Sequence, residues 1–160
     1  VNTALCDLVG EAWVERVAAA CAAARLPFYA ALNVTGRERF APARPGDALV
    51  ARGFARDQRR DKGFGGAALG PRAPRAIAAA FGRHGYTVLR GTSDWVIPRR
   101  ESRMTLALSD GHAAAAMRTE RRDARRIAHW MLARAADARE ARLSVRVGHV
   151  DVLALPPSKG

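Results

Sequence analysis

Cysteine, lysine, aromatic residues and long apolar runs are all scarce in this chain, and each scarcity excludes a class. The two cysteines, Cys6 and Cys21, form no C-x-x-C pair and have no neighbouring histidine, which excludes a zinc module and a disulfide scaffold. Free thiols in a reducing cytoplasm are the expectation, and Asn33-Val34-Thr35 is then a coincidental match to a glycosylation acceptor. His84, His112 and His129 show no metal-ligand spacing, so no metal is expected. No apolar run approaches the roughly 18 residues needed to span a bilayer. Glu11 and Glu15 interrupt the N-terminal apolar stretch, which has no basic start, so it does not read as a signal peptide. Aromatics make up 6% of the chain, so the core is expected to consist mainly of Ala, Val and Leu.

What is present is arginine. Of 27 basic residues only Lys62 and Lys159 are lysine, and the formal net charge is +12 with a pI near 11.4. Such a charge raises the question of a polyanionic partner. The arginines, however, are scattered from Arg16 to Arg146 rather than gathered into one arm. Together with the abundant alanine this suggests a GC-rich coding bias and a solvated basic surface, which argues against a nucleic-acid-binding domain. At 160 residues, 49% hydrophobic and 26% charged, the chain reads as a single globular domain over 1–160.

Hydrophobic periodicity supplies the elements. Glu11 to Arg25 reads as a helix, with Trp13, Val17, Ala20, Cys21 and Ala24 on one face, acids near its start, and Pro27 beyond its end. Phe28 to Val34 is a short apolar run, the pattern of a buried strand; Thr35-Gly36 reads as a turn, with Arg37 to Phe40 as a return strand. Asp47 is a candidate N-cap for a helix over Ala48 to Arg60. Pro71 to Gly85 is a further helix. Tyr86 to Leu89 opens a strand that resumes at Asp94 to Ile97 after a glycine break. Glu101 to Met117, with a break at Asp110-Gly111, and Glu120 to Ala141 are the last two helices. The final strand, Leu143 to Leu155, changes alternation phase at Gly148, which predicts a bulge or kink there. The class is α/β, with too few strands for a self-sufficient doubly wound sheet.

Three segments carry a resemblance. Thr3-Ala4-Leu5-Cys6-Asp7-Leu8-Val9 through Trp13 is similar to the segment after the fourth strand in a bacterial branch of the class I S-adenosylmethionine-dependent methyltransferases. Gln58-Arg59-Arg60-Asp61-Lys62-Gly63-Phe64-Gly65 with Leu69-Gly70-Pro71 resembles that branch's insertion after the fifth strand. Ser93-Asp94-Trp95 and Gly148-His149-Val150-Asp151-Val152-Leu153-Ala154-Leu155-Pro156 resemble its last two strands. The resemblance implies the C-terminal half of a Rossmann-like methyltransferase sheet. Strands 28–34, 86–97 and 143–155 would then lie together, the last antiparallel in the middle, with helices on both faces and 41–71 as an insertion or lid. It also implies methyl transfer from S-adenosylmethionine to an unknown small-molecule acceptor. The abrupt, apolar start at Val1 fits the expectation that a first half, carrying the glycine-rich cofactor loop, is missing. On that expectation this chain alone is inactive and its exposed sheet edge needs an oligomeric or other partner.

The resemblance points to Asn2, Thr3 and Ala4 at the cofactor's edge and to a substrate side made of Gln58, Arg59, Asp61, Lys62, Phe64, Asp94 and Trp95. Gly63 to Gly70 is not the nucleotide-type loop, because it follows a charged helical stretch rather than a strand. For the Gln58–Phe64 cluster a salt-bridged loop is the competing role, and for Asp94-Trp95 a turn cap with a packed indole. His149 and Asp151 fall on one side of the last strand, as a proton relay or, more simply, as a cross-strand hydrogen-bonded pair. Ser93 and Ser144 form no nucleophile elbow. A non-catalytic partner-binding module is the rival reading of the whole chain.

Overall fold

The computed structural model describes residues 1–64 and 66–158; Gly65 of the glycine-rich motif lies outside them. It is a mixed α/β structure with five strands and five α-helices. The strands are β1 (Asn2–Thr3), β2 (Phe28–Ala41), β3 (Thr87–Thr92), β4 (Trp95–Ile97) and β5 (Ser144–Leu155). The helices are α1 (Glu11–Ala23), α2 (Asp47–Gln58), α3 (Ala73–Arg83), α4 (Ser102–Thr119) and α5 (Ala124–Arg139). The strand order is β1-β2-β5-β3, and β4 also pairs with β5. β1 runs parallel to β2, while β3 and β4 run antiparallel to β5. The chain divides into two compact units: residues 1–36, 58–94 and 148–160 form the first, and residues 37–57 and 95–147 the second.

In the first unit Val14 and Ala18 of α1 and Ile77, Ala80 and Phe81 of α3 are buried with Phe28, Ala30, Val152 and Ala154 of the sheet. Aromatics are few but concentrated, since Phe28 stacks on Phe81 at 4.8 Å and Phe81 meets Tyr86 edge-on at 5.2 Å. The Tyr86 hydroxyl lies 3.0 Å from the carbonyls of both Cys21 and Leu26, tying the end of α1 to the start of β3. α3 ends where Gly85 takes a φ of 75°, a left-handed turn that a glycine adopts without steric cost.

In the second unit one cluster joins Leu49 and Val50 of α2, Ala113 and Ala116 of α4, and Ile127 and Trp130 of α5. Another joins Ile97, Ala138, Leu143, Val145 and Val147. Small residues set the α2–α4 contact, where Gly53 leaves room for Ala116.

Four sequence expectations are corrected. Thr35-Gly36 is not a turn with a return strand at 37–40: β2 continues to Ala41. Gly36 takes a φ of 72°, and a Cβ there would stand 3.0 Å from Pro71 Cγ, so the glycine answers a close approach within a strand rather than a reversal. The break expected at the glycine within 86–97 is present but displaced: β3 runs on through Gly91 to Thr92, and the interruption falls at Ser93-Asp94 before β4. α4 passes through Asp110-Gly111 unbroken, since a single glycine costs a helix only about 1 kcal/mol. The phase change at Gly148 is not an inserted residue against β3 and β4. Thr92↔Val150 and Trp95↔Val147 keep one register, with the Ser93 N–H donated to the His149 carbonyl between them. Val145 and Val147 serve the core of the second unit and Val152 and Ala154 that of the first, so one strand supplies two cores in turn.

Asp47 is the first residue of α2 rather than a cap outside it; its carboxylate accepts the Arg44 backbone N–H at 2.9 Å. No helix among the described residues is long and apolar enough to cross a membrane.

Candidate functional site

The polar interior of the first unit is organised around Asp151 on β5. Its Oδ2 accepts the Tyr29 hydroxyl at 2.5 Å, and its Oδ1 accepts the Ser93 hydroxyl at 2.6 Å and the Leu32 backbone N–H at 2.9 Å. Leu32 stands at φ 56°, a left-handed conformation inside β2 that turns its N–H onto the carboxylate. Burial pushes the Asp151 carboxyl up. The hydrogen bonds from Ser93, Tyr29 and Leu32 and the nearby His149 outweigh it and hold the group below the usual carboxylate range. Tyr29 is displaced the other way, raised first by its hydrogen bond to Asp151. The cross-strand bond of the last strand therefore belongs to Asp151 with Tyr29 and Ser93.

Around this anchor lie buried oxygens with no donor. Asn33 is fully buried; its Nδ2 donates to the carbonyls of Ala30 and Val150, both at 2.9 Å, but its Oδ1 has no partner. Asp7 is buried, with Oδ1 unpartnered, and burial raises its carboxyl despite the neighbouring His149. Thr35 Oγ1 and Gln58 Oε1 are also buried and unpartnered. Backbone bonds join the segments that carry them: the Leu69 and Gly70 N–H groups donate to the Val9 and Asp7 carbonyls at 2.9 and 2.8 Å, and a Cβ on Gly70 would lie 3.9 Å from Gln58 Cβ. Asn33 Oδ1 and Gln58 Oε1 can only accept, and the Thr35 hydroxyl can accept or donate, so the arrangement suits a ligand that brings N–H or O–H donors.

The residues expected at the site are distributed as follows. Asn2 and Thr3 form β1 in register with Ala30 and Ala31, and the Ala4 N–H donates to the Ala31 carbonyl at 3.1 Å. Asn2 Oδ1 accepts the Cys6 thiol at 3.3 Å, and burial pushes that thiol up to about 11. Gln58 ends α2. Asp61 folds its loop back: Oδ1 accepts the Gly63 N–H at 2.7 Å, and Asp61 bridges to Ala67. Arg59 and Phe64 are exposed and Lys62 is half-buried. Asp94 Oδ1 accepts the His149 backbone N–H at 3.0 Å, a strand-edge cap. Trp95, which belongs to the second unit, pairs with Val147 and keeps 38% of its surface exposed rather than packing inside. Of the expected set, Gln58 therefore joins the buried oxygens, while Asp61 and Asp94 are engaged with backbone.

Sequence reasoning missed Asp7, Asn33 and Thr35 as a group. Asn33 and Thr35 read as a strand's polar positions, and nothing in a linear pattern shows that their oxygens end up without donors. No group of His, Cys, Asp or Glu able to hold a metal ion occurs among the described residues. No protein-family model matches the chain, and no curated protein matches its sequence.

Proposed function

We propose that this chain is the acceptor-side half of a class I S-adenosylmethionine-dependent methyltransferase fold, acting in the cytoplasm on a small-molecule acceptor. The observation that supports it is the strand order: β5, last in the chain, lies between β2 and β3 and runs antiparallel to β3, with β1 parallel to β2 on the far side. That is the arrangement the resemblance implies for the fourth to seventh strands of such a sheet. The free thiols of Cys6 and Cys21 agree with a reducing compartment.

The methyl donor itself does not fit the described residues alone. Asn2, Thr3 and Ala4 offer one edge, but no described strand passes through a glycine-rich loop into a helix N-terminus, the device that holds such a cofactor. The Gly63–Gly70 stretch follows α2 and closes on itself through Asp61 and Ala67. What this half supplies is recognition of the acceptor: the buried oxygens of Asp7, Asn33, Thr35 and Gln58 select a molecule bearing N–H or O–H groups.

The test is titration of the chain with S-adenosylmethionine. Calorimetry is expected to show no low-micromolar binding, while amide spectra at millimolar cofactor show shifts confined to Asn2, Thr3, Ala4 and their β2 partners. Tight binding, or shifts only elsewhere, overturns the reading.

A second reading, a partner-binding module without catalysis, is favoured by β1, a two-residue strand that ends the sheet and pairs only with β2 among the described strands. A monomer by light scattering at high concentration counts against it. Against nucleic acid, several arginines of the second unit are engaged with carboxylates, as in Arg118–Asp57, Arg56–Glu120 and Arg44–Asp137.

A further inference from the structure

The second unit contains a cavity of about 490 Å³ lined largely by apolar atoms, among them those of Phe40, Ala48, Val50 and Trp130, with Glu38, Arg39, Asp47 and His112 as its ionisable members. That volume is in the range of small-molecule sites. Its polar groups are not equivalent. Asp47 already accepts the Trp130 indole N–H at 2.6 Å and the Arg134 guanidinium at 2.5 Å, so both Asp47 and the indole are occupied.

His112 is different. Its Nδ1 lies 2.8 Å from the Leu108 carbonyl, which can only accept, so Nδ1 carries the proton. A neutral ring then presents Nε2 as a bare acceptor, and Nε2 is buried with no partner. The ring cannot easily turn to seek one. Phe54 stacks on it at 3.9 Å and Phe40 meets it edge-on at 5.1 Å. Burial lowers His112's proton affinity and keeps the ring neutral, and it raises that of Glu38 across the same cavity. An oriented, unsatisfied acceptor covered in the wall of an apolar chamber is costly to the empty protein, and that cost is repaid when a donor brought in with apolar bulk opens the wall to reach it.

We propose that this cavity binds a flat aromatic small molecule carrying one hydroxyl, the hydroxyl donating to His112 Nε2 while the ring packs among Phe40, Val50 and Trp130. The site stands on the second unit alone and is independent of the methyltransferase reading.

The probe pair is 2-naphthol and naphthalene, equal in shape and differing by one hydroxyl, followed by Trp fluorescence and calorimetry on the whole chain. Naphthol is expected to bind about tenfold more tightly than naphthalene, as one hydrogen bond to a buried acceptor implies. In ¹⁵N spectra the His112 Nε2 resonance shifts upfield with naphthol only. His112→Phe is expected to abolish the preference, and Ala48→Trp, which fills the cavity, to abolish binding of both. Equal affinities, no binding of either probe, an unmoved Nε2 resonance, or binding that survives Ala48→Trp in a folded variant each overturns the proposal. Should His112→Phe fail to fold, the wild-type probe ratio and the Nε2 shift still decide.

Discussion

A Cβ placed on Gly53 of α2 would lie 2.8 Å from both the Cα and the Cβ of Ala116 on α4, so at this point the two helices approach too closely for any side chain on α2. The Thr119 hydroxyl donates to the Gly53 carbonyl at 2.9 Å and holds the same approach. The contact lies beside the core of Leu49, Val50, Ala113 and Ala116 that forms one wall of the second unit.

Gly53→Ala therefore sets two effects against each other. Helix propensity favours alanine by about 1 kcal/mol. The clash is with backbone that cannot rotate away, and overpacking of this kind costs about 1–3 kcal/mol. The clash is expected to win, with net destabilisation in urea unfolding, whereas Gly82→Ala in α3, where nothing lies within 4 Å of the new methyl, is expected to stabilise. Equal effects at the two glycines would show that the helices do not meet there.

Asp137 gathers three guanidinium groups. It accepts Arg44 Nη2 at 2.5 Å and Arg142 Nη2 at 3.1 Å, with Arg134 Nη1 at 3.7 Å, and both Asp137 and Arg134 side chains are fully buried. The Arg44 hydrogen bond, against burial and with help from Arg142, holds its carboxyl below the usual range. Asp137→Asn removes the charge that Arg44 and Arg142 share, while Arg134 keeps its 2.5 Å partner Asp47, and it is expected to cost about 1–3 kcal/mol, less than breaking a wholly buried pair because Arg44 and Arg142 reach solvent. The stabilisation of the ionised carboxylate is present above the unfolded value near 3.8 and is lost as pH falls below it, so acid unfolding of the wild type should be steeper than that of the variant.

His112 titrates with the same sign, in a higher pH range. Burial lowers its pKa in the folded protein from an ordinary 6.5, so below that value the unfolded chain binds a proton that the native ring resists. Stability conferred by the neutral ring falls as pH drops through about 6.5 and is flat above it. Urea midpoints measured between about pH 7.5 and about pH 5 should fall more for wild type than for His112→Phe. An identical pH dependence in both would mean that the ring is open to water.

Asp151 and Tyr29 offer a spectroscopic test of the first unit. Since the Tyr29 phenol is raised chiefly by its bond to Asp151, Asp151→Asn should return one tyrosine toward 10 in an ultraviolet titration and leave Tyr86, raised by burial, in place. The same variant removes the charge that gathers Ser93 and the Leu32 N–H, and a loss of about 1–3 kcal/mol is expected.

The helices were legible because each depends on a short-range period, but the buried face of α1 is turned from the one that period suggests: Val14 and Ala18 are buried, Trp13, Val17 and Cys21 flank them, and Ala20 and Ala24 are exposed. Boundaries suffered where glycine carried more than one meaning. Gly36 was read as a turn and is a close approach to Pro71, and Gly111 was read as a break and is ordinary helix. At the candidate site the loop residues Gln58 to Phe64 drew attention by their polarity, yet exposed Arg59 and Phe64 say less than silent Asn33.

By itself the sequence determined the α/β class and the main helical and strand segments, because both follow from side-chain chemistry at local spacing. The middle place of β5 was expected from the resemblance, but only the tertiary structure decided that one strand serves two cores, and that Asn33 Oδ1, Asp7 Oδ1 and His112 Nε2 are left without donors. Those properties are set by which distant segments meet, and hydrogen-bond satisfaction is a fact about neighbours in space rather than neighbours in the chain.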